Sequence, residues 1–188
     1  MVWHFLIDIP WIVCIAVWVV GALKTRRTES KEPVSSRSLT LVLLILGYSL
    51  VFSNVAKFGF LGERFMPHTW LLRTTGVVLT WVGIGLAVWA RLHLGAYWSA
   101  RVTIKENHQL IRTGPYARLR HPIYSGLGLA IFGSVLVIDT WGGLLGVLLV
   151  GTAYWIKARK EEFMLAAQFG EAFQEHCRRT GFLFPKLG

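Results

Sequence analysis

The sequence is poor in charged residues, and in acidic residues above all. Only 16% of its 188 residues are charged, and ten acidic residues stand against twenty lysines and arginines. An ordinary soluble domain carries about a quarter charged residues. Together with a hydrophobic content of 54%, this scarcity predicts an integral membrane protein built as one helical domain over residues 1–188.

Several catalytic and binding motifs are also missing. The sequence contains no GxSxG, GxxxxGK[ST] or HExxH motif, and its two cysteines are far apart with no CxxC. The short GxG at 83–85 lies inside an apolar run and lacks the strand–turn–helix context of a doubly wound dinucleotide fold, which we therefore exclude. We therefore expect no metal site and no structural disulfide. The basic residues flank apolar segments, so we expect a membrane surface as their partner and no nucleic acid.

Five apolar segments predict membrane-spanning helices. A spanning helix needs about 20 mostly apolar residues, and the last two segments are shorter, with 16 residues each. Because only two residues separate them, these two predict a tight antiparallel hairpin. The expected fold is an all-α integral membrane protein with five transmembrane helices, at 2–23, 39–56, 70–90, 123–138 and 141–156.

Small residues recur on one face of each hairpin helix. Gly126, Ala130 and Ser134 are spaced by four residues, and so are Gly142 and Gly146. Small side chains let helix backbones approach closely in a lipid environment. The spacing therefore predicts a closely packed hairpin, which is a candidate gate for a lipid that enters from the bilayer.

The polar tail after the fifth span predicts a cytosolic amphipathic helix. Acidic residues lead and arginines close the stretch 161–179, which suits the dipole of a helix. Five apolar or small residues would fall on one face of this helix. These are Phe163, Ala167, Gly170, Phe173 and Cys177.

The distribution of basic residues predicts the topology. Seventeen of the twenty lysines and arginines fall in segments 24–37, 91–121 and 157–188, and the other three fall in 57–73. Under the positive-inside rule this places the N-terminus outside and the C-terminus in the cytosol. The membrane would be the cell (inner) membrane in a prokaryote and the endoplasmic reticulum in a eukaryote.

The stretch "HQLIRTGPYARLRHPIYSG", 108–126, concentrates hydrogen-bonding side chains at the start of the fourth span. Pro122 suits the first turn of that helix, with His121 at its cap. The arginines offer forked donors for carboxylates, and Glu161 and Glu162 lie on the same predicted side of the membrane. Cations, carboxylates and aromatic rings together suit a zwitterionic ligand that bears an aromatic base.

Each of these residues also has a purely structural interpretation. Arg118 and Arg120 are typical anchors beside a membrane, and Tyr116 and Tyr124 are typical of the interfacial aromatic belt. Lys157 lies four residues before Glu161, so the two could simply form an ion pair on a helix surface. The functional interpretation therefore depends on the ordered set and its predicted placement on one side.

The ordered set resembles the isoprenylcysteine carboxyl methyltransferase family and, more broadly, membrane methyltransferases that include phospholipid N-methyltransferases. The residues that carry the resemblance are 108–126 and "RKEEFMLAAQFGEAFQEH" further on, within 108–184. It implies three spans in 1–90 and a cofactor-binding half in 91–188, with S-adenosyl-L-methionine as cofactor and S-adenosyl-L-homocysteine as product. The implied cofactor contacts are His108, Gln109, Leu110, Ile111, Tyr116, His121, Pro122, Ile123, Tyr124, Glu161 and Glu162.

The methyl acceptor stays open at the level of sequence. The family's carboxyl methyltransferases bind the substrate carboxylate with an arginine at the position of Lys157, so Lys157, Arg159 and Arg120 are the candidate catalytic cations here. The resemblance favours carboxyl methylation of a C-terminal prenylated cysteine. An amine of a phospholipid headgroup is the alternative, because the site also offers carboxylates as proton acceptors.

Two further classes remain open. A small non-catalytic membrane binding protein would share the composition, although paired inverted repeats typical of transporters are not evident. A membrane reductase of related helical build would bind a nicotinamide nucleotide instead. Titration with S-adenosyl-L-homocysteine separates both classes from a methyltransferase.

Overall fold

The protein is described here by a computed structural model. It describes residues 2–22, 28–31, 34–53, 59–67, 69–95, 98, 103–105 and 110–186. Six α-helices occupy most of these residues: α1 (Val2–Ala22), α2 (Val34–Phe52), α3 (Trp70–Leu94), α4 (Pro122–Ile138), α5 (Trp141–Phe169) and α6 (Glu171–Arg179). Two short strands, β1 (Thr28–Lys31) and β2 (Thr103–Lys105), and two 3₁₀ turns complete the described elements.

The predicted helical fold is confirmed for the apolar segments. Three helices, α1, α3 and α5, are long and apolar enough to cross a membrane, whereas α2 and α4 hold shorter apolar stretches. All five predicted spans coincide with a helix. The strands were not predicted, and α5 continues well past the expected end of the fifth span because no helix-breaking residue intervenes before Gly170.

The two basic links that follow α1 and α3 meet at one end of the helical bundle. Strands β1 and β2 pair antiparallel, with Thr28 opposite Lys105 and Lys31 opposite Thr103. The C-terminal segment reaches the same end, where Leu119 forms a parallel bridge with Gly181. Described parts of all three basic segments therefore lie at this end, which we call the basic end.

The opposite end is closed by polar contacts around the turn between α4 and α5. Asp139 adopts a left-handed conformation, with a φ of 58°, and its carboxylate accepts a hydrogen bond from the backbone N–H of Met66 at 3.0 Å. Thr140 caps α5 by accepting from Gly143 N at 3.1 Å. The backbone N–H of Trp141 donates to Glu63 O at 3.1 Å. The tight α4–α5 turn is thereby fixed to the link that precedes α3.

The glycines of α4 pack against α3, and this corrects the expectation that they join the two hairpin helices. A Cβ atom at Gly126 would lie 2.6 Å from Gly83 O, and one at Gly133 would lie 2.6 Å from Gly76 O. The converse contacts at Gly83 and Gly76 are equally close. Helix α4 accordingly has its most extensive contact with α3. The spacing of small residues identified the contact face of α4 but not the partner helix.

Helix α5 makes the corresponding contact with α2. Gly47 and Gly146 face each other, and a Cβ atom at Gly146 would lie 2.6 Å from Gly47 O. The α4–α5 hairpin is consequently less closely packed than each of its helices is against its outer neighbour. Because Gly126 and Gly146 bear such backbone contacts, substituting them would test packing and not the expected gating of lipid entry.

The tail differs from the single amphipathic helix expected for 161–179. Gly170 adopts a φ of 51° and separates α5 from α6. The expected apolar face is therefore divided: Phe163 on α5 is 78% exposed, whereas Phe173 on α6 is 4% exposed. A positive φ is readily accessible to glycine, so this residue ends α5 and redirects the chain.

Candidate active site at the basic end

The start of α4 is formed as the sequence predicted. Pro122 is the first residue of α4 and His121 is its N-cap, which fits proline's fixed φ and missing N–H. The preceding Gly114–Ala117 segment is a 3₁₀ turn that begins with a φ of 58° at Gly114. His121 is 5% exposed, so its ring lies inside the protein at the basic end.

The two glutamates of α5 lie against the start of α4. The Tyr124 hydroxyl forms a very short hydrogen bond with Glu161, and Arg120 Nε lies 2.5 Å from Glu162 Oε1. His121 lies between the two carboxylates: Nδ1 is 3.5 Å from Glu161 Oε2 and Nε2 is 3.5 Å from Glu162 Oε1. The structure therefore brings these five predicted site residues into one cluster.

The pKa of His121 reflects two opposing effects. Burial disfavours the charged ring and lowers the pKa, whereas the nearby carboxylates of Glu161 and Glu162 raise it, and the net pKa is raised above 6.5. Its Nε2 atom has no hydrogen-bond partner among the described residues. The two carboxylates therefore favour the protonated form of the ring, whose Nε2 lies 3.5 Å from Glu162 Oε1 without a hydrogen bond of good geometry.

Aromatic rings connect this cluster to the interior of the bundle. The Tyr124 ring stacks on His121 at 5.7 Å between ring centres and on Tyr154 at 5.2 Å. The Tyr154 hydroxyl is hydrogen-bonded to the Tyr48 hydroxyl at 2.7 Å. Tyr154 and Tyr48 both line a cavity, so the stack extends from the charged cluster to that cavity.

The cavity lies among α1, α2, α4 and α5 and has a volume of about 600 Å³. Its walls are largely apolar and aromatic, with Asp8 as the acidic residue on them. Such a shape and lining are typical of a pocket for a hydrocarbon or a small organic molecule. The lining residues are Asp8, Trp11, Ile12, Cys14, Ile15, Trp18, Val19, Tyr48, Phe52, Leu127 and Tyr154.

The C-terminal segment covers the charged cluster, which the sequence did not predict. His121 N donates to Phe182 O at 3.3 Å, and Ser125 Oγ donates to Leu183 O at 2.6 Å. The Phe182 ring meets the His121 ring edge-on at 5.2 Å. A phenylalanine after a glycine carries no sequence signal for such a position, because these backbone contacts are independent of side-chain type.

The candidate catalytic cations differ in their surroundings. Arg120 donates to Thr180 O at 2.6 Å and to Cys177 O at 3.3 Å, besides its contact with Glu162. Protein acceptors thus occupy several donors of Arg120, so it holds the tail against α5. Arg159 is 60% exposed and reaches Glu162 at 3.4 Å. Lys157 Nζ lies 5.4 Å from the centre of the Tyr124 ring.

The structure describes some of the remaining predicted cofactor contacts and not others. Tyr116 is buried and donates a hydrogen bond to Ala90 O at 3.4 Å, and Ile123 packs in the same cluster. The neighbouring Leu110 and Ile111 are half-buried. His108 and Gln109 lie outside the described residues. The burial of Tyr116 shows that it is not a tyrosine of the exposed interfacial belt.

The cluster fits S-adenosyl-L-methionine on chemical grounds. The sulfonium and amino groups of that molecule are positive, and the Glu161 and Glu162 carboxylates supply negative charge. The face of an aromatic ring such as Tyr124 also attracts a cation. His121 Nε2, which lies 3.5 Å from Glu162 Oε1 without a hydrogen bond of good geometry, offers a donor for an oxygen atom. Within the described part of the chain, no group of three or more histidine, cysteine or acidic side chains could hold a metal ion.

The chain is similar to the cobalt-zinc-cadmium resistance protein CzcN of Cupriavidus metallidurans, with 36% identity over 131 residues, covering 67% of this chain and 56% of that protein. The similarity to the nickel-cobalt-cadmium resistance protein NccN of Alcaligenes xylosoxydans is 32% over 131 residues, or 67% and 57% of the two chains. The uncharacterised protein YpbQ of Bacillus subtilis matches at 36% over 59 residues, or 31% and 34%.

The chain spans a little more than half the length of the two resistance proteins that it matches. The profile of the phospholipid methyltransferase family matches residues 71–172, which include nearly all of α3 and the whole of α4 and α5. That region supplies Arg120, His121, Tyr124, Glu161 and Glu162 of the cluster. On this evidence, the chain belongs to the phospholipid methyltransferase family of membrane methyltransferases.

Proposed function

We propose that this protein transfers a methyl group from S-adenosyl-L-methionine to a lipidic substrate at the membrane. The observation that carries the proposal is the cluster of Tyr124 and His121 with Glu161 and Glu162. Two segments about 40 residues apart in sequence supply these four side chains, and the hydrogen bond and ion pairs between them join α4 to α5. The family match is the second support.

The cofactor supplies an activated methyl group, so the protein needs chiefly to bind, orient and exclude water. The Tyr124 hydroxyl fixes one oxygen of Glu161, which leaves the carboxylate directed toward the aromatic stack. Arg120 and His121 fix Glu162. Phe182 covers the His121 ring and reduces its contact with water.

For a carboxylate acceptor the transfer forms a methyl ester and releases no proton. A carboxylate is ionised at neutral pH, so it needs a cation for orientation and no base. Lys157, which lies beside the Tyr124 ring, suits that role better than Arg159, whose side chain is exposed and directed to Glu162. We therefore propose carboxyl methylation of a prenylated cysteine or a similar lipid acid as the first candidate reaction.

For an amine acceptor the transfer forms a new C–N bond and releases one proton. Glu161 is the carboxylate nearest the Tyr124–Tyr154 stack and would accept that proton. The family's description as phospholipid methyltransferases favours this second candidate. The product of the cofactor is S-adenosyl-L-homocysteine in both reactions.

The placement of the site suggests two routes of entry. We propose that the basic end faces the cytosol, because it gathers the segments that carry seventeen of the twenty basic residues. The cofactor would enter from that side. The lipid chain would enter laterally and occupy the cavity among α1, α2, α4 and α5.

The decisive experiment is calorimetric titration of the detergent-solubilised protein with S-adenosyl-L-homocysteine. We expect saturable binding that Glu161→Gln weakens and Glu175→Gln, an exposed control on α6, leaves unchanged. Labelled S-adenosyl-L-methionine is then supplied with N-acetyl-S-farnesylcysteine or with phosphatidylethanolamine to identify the acceptor. Absence of any binding to the wild type would support a non-catalytic binding protein or, if a nicotinamide nucleotide binds, a reductase.

A further inference from the structure

Arg91 is a buried arginine with no acidic partner among the described residues. It lies in the last turn of α3 at the basic end and is 3% exposed. One of its donors, Nη1, reaches Gly95 O at 3.0 Å, but Nε and Nη2 have no acceptor among the residues that the structure describes. Burying a charge without compensation is costly. A guanidinium in these surroundings favours an anion, which the described part of the chain does not supply.

The surroundings of Arg91 are built around its guanidinium. Gly21, near the end of α1, leaves the space that the guanidinium fills, and a Cβ atom there would collide with Nη2. The Trp98 ring lies under the guanidinium, with its centre 4.2 Å from Cζ. A glycine on one side and an aromatic face on the other hold the planar group in one orientation.

This pocket adjoins both the cavity and the cluster of charged residues. Trp98 meets Trp18 edge-on at 6.2 Å, and Trp18 lines the cavity. Trp18 precedes Gly21 by three residues, which is about one helical turn. On its other side, Trp98 packs in the same apolar cluster as Tyr116 and Tyr124. Arg91 is therefore connected through Trp98 both to Trp18 on the wall of the cavity and to the apolar cluster that contains Tyr124.

We propose that Arg91 binds the anionic group of the lipid substrate, a carboxylate or a phosphate, while the hydrocarbon chain occupies the cavity. That the bound lipid is the substrate of methyl transfer rests on the proposed function, whereas the binding of an anion by Arg91 does not. Both candidate substrates carry an anion at or beside the methyl acceptor: the carboxylate of a prenylcysteine is itself the acceptor, with one oxygen for Arg91 and the other for the methyl group, and the phosphate of phosphatidylethanolamine is joined to the amine by a short ethylene link. Arg91 gives selectivity for amphiphiles with an anion at that position over neutral ones.

The test compares chain-matched amphiphiles. Affinities of the full-length protein in neutral nanodiscs are measured by calorimetry for N-acetyl-S-farnesylcysteine, its neutral amide and farnesyl phosphate. We expect the wild type to bind the two anions about tenfold or more tightly than the amide, as befits charge-assisted hydrogen bonds. Arg91→Gln should reduce that ratio to about one, whereas Arg64→Gln, an exposed arginine at the opposite end, should leave it unchanged. The anion that the wild type binds more tightly shows whether the site takes a carboxylate or a phosphate.

Stability and cofactor binding separate this role from others. Because the guanidinium is largely unpaired, Arg91→Gln should melt no lower than the wild type and should bind S-adenosyl-L-homocysteine equally well. Gly21→Ala, which displaces the guanidinium without removing it, should also lower the anion-to-amide ratio. A lower melting temperature with an unchanged ratio would show a structural role, and a selective loss of S-adenosyl-L-homocysteine would show a cofactor carboxylate site. Either result overturns the proposal, as does a wild type that does not distinguish acid from amide.

The same measurements distinguish this proposal from the proposed reaction. If the wild type binds no S-adenosyl-L-homocysteine but its preference for anions depends on Arg91, methyl transfer is refuted and the anion site stands. If S-adenosyl-L-homocysteine binds and the preference for anions is absent, the anion site is refuted and the proposed methyl transfer is not.

Discussion

The contact between α3 and α4 allows a matched test within one helix. Gly83 is buried, and a Cβ atom there would lie 2.5 Å from both Ala130 N and Gly126 O. Gly85, two residues on, has nothing within 4 Å of the corresponding position. The pair Gly83→Ala and Gly85→Ala therefore adds the same methyl group to the same helix, once against the backbone of α4 and once away from it.

The two substitutions should change stability in opposite directions. Overpacking typically costs about 1–3 kcal/mol, and the obstructing atoms at Gly83 are backbone atoms that cannot rotate away. Because alanine favours the helix more than glycine does, either substitution also adds up to about 1 kcal/mol to the free energy of unfolding. We expect Gly83→Ala to lower the free energy of unfolding by about 1–2 kcal/mol and Gly85→Ala to raise it by up to about 1 kcal/mol.

Unfolding by increasing fractions of SDS in dodecylmaltoside micelles, followed by circular dichroism at 222 nm, measures both values. Gly126 and Gly128 provide an independent pair in α4, since a Cβ atom at Gly126 would lie 2.6 Å from Gly83 O and one at Gly128 would meet open space. Equal stability of Gly83→Ala and Gly85→Ala, repeated for the second pair, would refute the close approach of α3 and α4.

Three further predictions concern the charged cluster. The raised pKa of His121 means that its stabilising charge is fully present below about pH 6.5 and is lost as pH rises through the raised value. The melting temperature should therefore fall above pH 6.5, and it should fall less in His121→Gln. An equal fall in both proteins would show that His121 is not the cause. Tyr124→Phe removes the hydrogen bond to Glu161 and should weaken S-adenosyl-L-homocysteine binding by about tenfold in calorimetry, because hydrogen bonds to charged groups contribute about 1.5–3 kcal/mol; unchanged affinity would count against the proposed site. Phe182→Ala should speed exchange of the His121 backbone amide in hydrogen-exchange mass spectrometry while far-UV circular dichroism stays unchanged, and slow exchange in that variant would show that the tail docks without this ring.

The local features of the site could be predicted because they depend on neighbours in sequence. Proline restricts its own φ and lacks an N–H, so Pro122 identifies the start of α4 and places His121 at its cap. The proximity of Tyr124 to Glu161 follows once α4 and α5 are read as an antiparallel hairpin, because both residues then lie at the same end. The roles of these residues toward a cofactor remain predictions.

Long-range partners could not be predicted in the same way. The spacing of Gly126 and Gly133 defines a face of α4, but many helices could pack there, and only the three-dimensional arrangement selects α3. Arg91 at a helix end looks like an ordinary membrane anchor in the sequence. Its burial depends on Gly21, seventy residues earlier in the chain. A single sequence contains no direct signal for such a pair.

The division of the helices into two closely packed pairs has a practical consequence for handling the protein. Helix α4 is joined chiefly to α3 and carries His121 and Tyr124, whereas α5 is joined chiefly to α2 and carries the two glutamates. A small molecule that contacts the residues of both helix pairs would hold the two pairs together. Saturation at a hundred times the dissociation constant adds about 2.7 kcal/mol to stability. S-adenosyl-L-homocysteine should therefore protect the purified protein against unfolding by harsh detergents. In preparations without it, we expect the contact between α4 and α5 to be lost first.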